Sequence, residues 1–258
     1  MTNPDKPIRL GLISALHEEQ AGLIEAMHGA RKTSHGMRDY VRGNLFGIDC
    51  VCVLSRIGKV AAATTAAMLI ERFDVTHIIF TGVAGSADPA VRVGDIVIAD
   101  TLVQHDMNAA PLFPRFEVPL TGLSRFASHR GMSDRMAKAA ADFIENDFAG
   151  ALDDDARRAF GLLAPRVHRG LIASGDEFIT SRDKLAGLQS ALAGLLAVEM
   201  EGAAVAQVSF EMGRPFAVVR TISDNANENA AVDFTRFVEQ VAARYAFSIV
   251  QRWCEMAQ

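Results

Sequence analysis

Short, nearly continuous apolar runs alternate along this chain with longer segments whose apolar positions recur every three or four residues. The first kind reads as strands buried on both faces, the second as helices packed by one face. IRLGLIS over 8–14 is a strand, and a helix is expected over 18–27. Two strands follow over 39–47 and 48–55, about a Gly-Ile-Asp turn. The alanine-rich KVAAATTAAMLIERF over 59–73 is a helix. A strand over 76–85 ends in a glycine-rich turn, and another covers 94–104. The stretch 105–131, with Pro111, Pro114 and Pro119, reads as a loop region. Helices over 133–147 and 154–162 come next, then a strand over 166–175. Ser181 resembles an N-cap for a helix over 181–194. A strand over 195–200 runs into a helix over 201–212, a strand occupies 215–224, and a long helix covers 231–253.

Alternation of this kind predicts an α/β fold: a single domain over 1–258, with a mixed, mostly parallel central sheet flanked by helices. There is no linker, repeat or low-complexity tract. Half of the 258 residues are hydrophobic, enough for a sizeable core. The formal net charge is −5 with no strongly basic region, which argues against nucleic-acid binding as the main task. No apolar run reaches the roughly 18 residues of a membrane helix, and the polar start lacks the features of a signal peptide. A cytoplasmic protein without membrane contact is expected. Cys50, Cys52 and Cys254 fit a reducing compartment, and Cys50 and Cys52 would share a strand face. Neither the cysteines nor the seven scattered histidines have metal-ligand spacing, so no metal and no organic cofactor is signalled.

In folds of this class, ligands bind beyond the carboxyl ends of the strands. Acids gather at three of those exits: Glu18 and Glu19 after the first strand, Glu199 and Glu201 after LLAV, and Asp224 after AVVRTI. Carboxyls converging on one pocket can take a proton from water, give one to a leaving group and grip hydroxyls, as paired carboxyls do in glycosidic bond cleavage. Crowding and burial keep at least one of them protonated near neutral pH. Other roles compete. Glu18 and Glu19 suit the first turn of a helix, Asp224 suits a cap, and Glu199 suits a scaffold paired with backbone or with Arg220.

The segments SALHEE, SRIGKVAAA, TGVAGS, VGDIVIAD, HDMNA, GLIASGDEFI, AVEMEGAAVA and VVRTISDNA stand in an order and spacing that resemble the 5′-methylthioadenosine/S-adenosylhomocysteine nucleosidases of the purine nucleoside phosphorylase superfamily. The resemblance covers about 8–250, with insertions near 108–130 and 148–165. Its most specific part is VEME followed some twenty residues later by R-x-I-S-D. The resemblance implies hydrolytic release of adenine from 5′-substituted adenosines, without cofactor, by a homodimer. It implies that Glu19 activates water and that Asp224, beside Ser223, protonates or hydrogen-bonds the purine N7. Glu201 would hold the ribose hydroxyls, with Met200 beside the sugar. Phe178 and Ile179 would stack on and read adenine, Ile57 and Phe234 would lie near the 5′-alkylthio group, and Arg220 would orient the acids.

Two positions depart from the family pattern: Arg56 stands where glycine is usual, and Val83 where serine or threonine is common. Arg56 is expected to pair with one of the acids, the alternative being that it faces a charged substrate. A phosphorylase would bind phosphate through amides and arginines; glutamates in the first loop, SALHEEQAG, would repel that anion and favour water. The remaining alternatives are a phosphate-dependent purine nucleoside phosphorylase, a nucleosidase for another 5′-modified adenosine such as a futalosine derivative, a nucleoside-binding sensor without turnover, and an unrelated α/β enzyme whose acids are structural.

Overall fold

Strand β1 (Arg9–Ser14) sends alternate side chains to opposite faces, and the same two-sided burial runs through the centre of the molecule. In this computed structural model, which describes residues 7–257, Leu10 and Leu12 join one apolar layer and Ile13 the other. The division repeats in β5 (His77–Ser86), where Ile79 opposes Ile78 and Phe80, and in β10 (Phe216–Asp224), where Ala217 and Val219 oppose Val218 and Ile222. That is why these strands read as unbroken apolar runs. One layer lies under α2 (Arg130–Asn146) and the last helix, α8 (Ala243–Glu255); the other lies under α1 (Lys59–Phe73) and α6 (Gly202–Glu211).

β1 pairs in parallel with β5 and with β4 (Ile48–Leu54), and β5 pairs in parallel with β10. β6 (Ile96–Gln104) runs antiparallel to β10 and parallel to β8 (Val167–Ser174), which is parallel to β9 (Leu195–Glu199). β9 returns to β5 through an antiparallel contact at Gly85 and Ser86. The pairings β5, β10, β6, β8, β9 and back to β5 thus close a ring. On the far side, β3 (Arg38–Leu45) and β2 (His28–His35) extend the sheet beyond β4. A two-residue strand, β7 (Phe126–Ala127), adds to β6. The helices α3 (Phe148–Ala151), α4 (Asp154–Ala159) and α5 (Arg182–Ala191) lie in the connections flanking β8. The fold is a mixed α/β fold, as expected. Among the described residues no helix is long and apolar enough to cross a membrane. The polar lead at 1–6 and Gln258 lie outside the described residues.

Four local expectations change. The helix expected over 18–27 is only a 3₁₀ turn at Glu18–Gln20 followed by turns, because the backbone leaves helical geometry at Ala21, ψ 135°, and then at Gly22, φ +86°. β2 has no counterpart in the expectation: almost every residue in it is exposed, it pairs only with β3 at the sheet edge, and it carries no apolar alternation to read. The hairpin turn between β3 and β4 falls at Phe46 and Gly47, both at positive φ, and not at Gly-Ile-Asp. The glycine-rich segment after HIIF is strand, not turn, since β10 and β9 pair with it as far as Ser86. The long C-terminal helix is continuous but changes pitch: α7 (Ala230–Phe237), a π-helical turn at Val238–Ala242, then α8. Cys50 and Cys52 do share a face, with sulfurs 3.8 Å apart, and all three cysteines are free and buried.

Trp253 ties α8 to α2. It is fully buried, donates its indole N–H to the Met132 carbonyl at 3.4 Å and lies 5.1 Å beneath the Arg135 guanidinium. Trp253→Ala should cost about 3–5 kcal/mol. The readout is a lower urea midpoint with an unchanged slope.

Candidate active site

The carboxyl ends of β1, β5, β9 and β10 and the loop after β8 surround one cavity of about 280 Å³, close to the lower end of the roughly 300–1,000 Å³ usual for small-molecule sites. Glu19, Glu201, Asp224, Ser223, Met200, Phe178, Ile179, Ile57 and Phe234 all line it, and Glu199 lies among them. Arg220 does not line it but stands behind the acids, 1% exposed. Sequence positions more than 200 residues apart therefore meet in a single pocket.

Glu199 closes β9, and its carboxylate lies under the first turn of α6. It accepts from the backbone N–H groups of Glu201 at 3.0 Å and Gly202 at 2.8 Å, and from the Ser174 hydroxyl. Ser174 in turn accepts from the Ala203 N–H at 2.7 Å. Arg220 Nη2 donates to Glu199 Oε2 at 2.6 Å, and the guanidinium sits 4.1 Å over the Phe80 ring. Burial pushes the Glu199 carboxyl up, but the Arg220 charge, the Ser174 hydroxyl and the Gly202 amide outweigh it and hold Glu199 below its ordinary value. Glu199 is thus an ionised scaffold whose acceptor capacity is taken up by protein donors.

Glu201 is two residues on, in a different electrical environment. Its Oε1 accepts one backbone hydrogen bond, from Gly58 at 2.9 Å, and its Oε2 is 4.0 Å from Arg220. Burial, followed by the negative charge of Glu199, pushes it up to about 8. Gly58 presents that amide from φ +98°, a conformation that favours glycine.

Glu19 lies beneath the loop after β1. Its Oε2 accepts from the amides of Ala15 at 2.8 Å and Leu16 at 2.9 Å, and its Oε1 accepts from the amide of Val83 at 3.0 Å. Burial raises its pKa; the Arg220 charge and the three amides oppose that rise without cancelling it. A Cβ on Gly82 would meet Glu19 Oε1 at 2.9 Å and Arg220 Nη1 at 3.0 Å, so TGVAG needs glycine here for the acid to fit. Val83 contributes through its backbone, which any residue type supplies.

Asp224 ends β10 at a register shift opposite Gly85, a bulge of the kind that re-aims a side chain. Its Oδ2 accepts from the Ser223 hydroxyl and its Oδ1 from the Ala226 amide, both at 2.8 Å. Burial raises its pKa above the ordinary value, against these two hydrogen bonds. A Cβ on Gly85 would approach Asp224 Oδ1 to 2.9 Å.

The rim is apolar. Phe178 and Phe234 meet edge to face with centroids 5.5 Å apart. The loop carrying Phe178 and Ile179 is anchored by three residues that sequence reasoning gave no role. Lys59 Nζ pairs with Asp106 at 2.6 Å, Asp106 accepts from the Asp176 amide at 2.9 Å, and Asp176 accepts from the Lys59 amide at 2.7 Å. Their signal was present, one in each of the motifs SRIGK, HDMNA and GDEFI. Arg56 departs from expectation. It pairs with none of the acids; its Nη2 donates to the Met37 carbonyl at 2.6 Å. The backbone at Arg56, φ +69°, turns the side chain toward the β2–β3 hairpin.

Two outcomes are expected from these contacts. Arg220→Ala leaves Glu199 buried without its counter-charge and should cost about 3–5 kcal/mol, measured by chemical denaturation. Glu201, at about 8 in the folded state against 4.5 ordinarily, contributes stability that is complete below pH 4.5 and lost as the pH rises through 8. Glu201→Gln should therefore gain about 1–3 kcal/mol over the parent protein above that pH, and no such gain near pH 4.5. Thermal unfolding across the range checks it.

Residues 9–254 match the profile of the phosphorylase superfamily. A 5′-methylthioadenosine/S-adenosylhomocysteine nucleosidase from Shewanella denitrificans is 32% identical over 250 residues, 96% of this chain and 100% of that protein. The crystal structure of a nucleosidase of the same name from Neisseria meningitidis, in complex with methylthio-immucillin-A, superimposes with a TM-score of 0.83 at 31% identity, covering 96% of this chain and 99% of that one. The futalosine hydrolase of Helicobacter pylori superimposes with a TM-score of 0.80 at 28% identity, covering 95% and 97%.

Proposed function

The chain belongs to the phosphorylase superfamily, in the family of the 5′-methylthioadenosine/S-adenosylhomocysteine nucleosidases, and from that premise we propose that it hydrolyses the N-glycosidic bond of 5′-substituted adenosines and releases adenine. Methylthioadenosine and S-adenosylhomocysteine are the substrates this reading names. The observation that carries it is the position of Glu19. The amides of Ala15, Leu16 and Val83 form a ready anion cradle, and the Glu19 carboxylate fills it. A phosphate nucleophile would need those donors and would meet a negative charge in their place. Water needs only a base, and Glu19 is one.

In this reading the C1′–N9 bond breaks as water attacks C1′. Glu19 takes the proton from water, the bonding electrons pass into adenine, and Asp224 supplies a proton to N7. Burial favours the neutral form of Asp224 that can do so. Glu201 receives the ribose hydroxyls. As positive charge develops on the ribosyl ring, the anionic form of Glu201 becomes favourable, so its stabilising interaction is stronger in the transition state than in the ground state. Phe178 and Ile179 take the base, and Ile57 and Phe234 the 5′ substituent. The protein would work in the cytoplasm as a homodimer. Exposed Ile57 and Phe178 at the rim, with exposed Leu112 and Leu120 on the long loop, supply apolar surface for a second copy to cover.

Adenine release from methylthioadenosine should proceed in phosphate-free buffer and yield the free sugar. A requirement for phosphate, with sugar 1-phosphate as product, would assign the chain to the phosphorylases instead. Glu19→Gln and Asp224→Asn should each lower kcat by about 10²–10⁴ with the fold intact by circular dichroism. A near-parental rate for Asp224→Asn would remove Asp224 as the acid.

A further inference from the structure

A second cleft, of about 500 Å³, adjoins the nucleoside cavity and shares Ala15, Leu16 and Ile57 with it. Its remaining walls are His17, Met37, Arg38, Asp39, Leu54 and Arg56. The electrostatics of the two spaces are opposite. The nucleoside cavity is built around carboxyl groups. The cleft presents two guanidiniums with no ion pair among the described residues. Arg38 donates to the carbonyls of Gly36, Ser55 and Ala61, and its Nε is buried without a partner. Arg56 donates through Nη2 to the Met37 carbonyl. Backbone carbonyls orient these groups but do not neutralise them. The one acid in the wall, Asp39, is already held by Lys32 at 3.0 Å and by the Ser34 hydroxyl at 2.6 Å.

Arg56 also stands at φ +69°, where glycine would make the same turn with less strain. Backbone geometry therefore does not explain an arginine at this position, whereas its place beside Ile57, on the wall between the two spaces, gives the side chain a use. Resting on the hydrolase reading above, we propose that this cleft is a subsite for a carboxylate at the end of the substrate's 5′ substituent, with Arg56 as the cation that recognises it. Among the described residues, a carboxylate on that arm finds no free cation beside the acids around the ribose and is attracted by the unpaired guanidiniums next door. Guanidinium is the side chain best shaped to hold it, by paired N–H groups.

The test compares two nucleosides of equal arm length: 5′-deoxy-5′-(butylthio)adenosine and its analogue bearing a terminal carboxylate. In the parent enzyme the carboxylate analogue should have the lower KM. Arg56→Gln should raise its KM by about ten- to a hundredfold while changing kcat and KM for the butylthio compound less than about twofold, a margin within the small effects of ordinary surface substitutions. Arg56→Lys should restore part of the difference, and added salt should weaken it. Equal effects of Arg56→Gln on both nucleosides would overturn the proposal and leave Arg56 a residue of the turn only. Calorimetric binding of the same pair to the Glu19→Gln protein keeps the subsite separate from the chemistry. Preference for the carboxylate there supports the subsite even if adenine release were lost, and absence of preference overturns it even if hydrolysis stands. Inorganic phosphate should give no binding heat with the nucleoside-free protein; saturable binding lost in Arg56→Gln would show a free-anion site and overturn the substrate assignment.

Discussion

Four buried carboxyl groups face one cavity, and one buried guanidinium, Arg220, serves them. With all four ionised the desolvated cavity would carry a net negative charge, which favours the binding of protons. Which acids hold them follows from geometry. Glu199 takes the direct contact with Arg220 and the donors at the start of α6, and stays ionised. Glu201 receives one amide and the more distant edge of Arg220, and is pushed up to about 8. Glu19 and Asp224 are raised by burial against a few amide and hydroxyl donors. One ion pair therefore separates a cluster of chemically similar side chains into one held below its ordinary pKa and three raised above it.

Backbone supplies most of the remaining control. The amides of Ala15, Leu16, Val83, Gly58 and Ala226 each point at a carboxyl oxygen. These donors depend on glycine in two ways. Gly58 adopts a backbone conformation a side chain would strain, and Gly82 and Gly85 leave the space that Glu19 and Asp224 occupy. The same arrangement sets a carboxylate from the chain in the cradle of amides that an oxyanion would use. Rigid strands hold these parts: β5 carries Gly82, Val83 and Gly85 while bonded to β1, β10 and β9, so small displacements in any of them reach the acids directly.

The closed ring of pairings explains why the strand exits converge. Strands buried on both faces cannot move their ends independently, and the bulge at Ser223 gives Asp224 an aim that regular alternation would not. Outside the ring the sheet is freer. β2 and β3 reach past β4 and place Met37 and Arg38 beside the loop after β4, where Arg56 meets them. The acid-lined cavity and the basic cleft thus arise from different parts of one sheet, the closed part and its open edge.

What the sequence determined by itself were the strongly patterned elements. The buried strands are visible because burial on two faces demands apolar side chains at every position, and α1 because its spacing is helical. The motifs around Glu19, Glu201 and Asp224 were legible for a related reason: acids and glycines are costly beside apolar strands, so their presence at strand exits is informative. Residues whose role comes from another part of the chain were not legible. β2 is a strand because β3 offers its edge, not because of its own pattern. The loop near Glu19 abandons helix where Ala21 turns extended and Gly22 takes a positive φ. Lys59, Asp106 and Asp176 became one anchor, and Arg56 left the acids for Met37, only when distant loops met. Local sequence constrains side-chain burial through periodicity, but partners, charge balance and pKa depend on which groups lie within a few ångströms, and tertiary packing alone decides that.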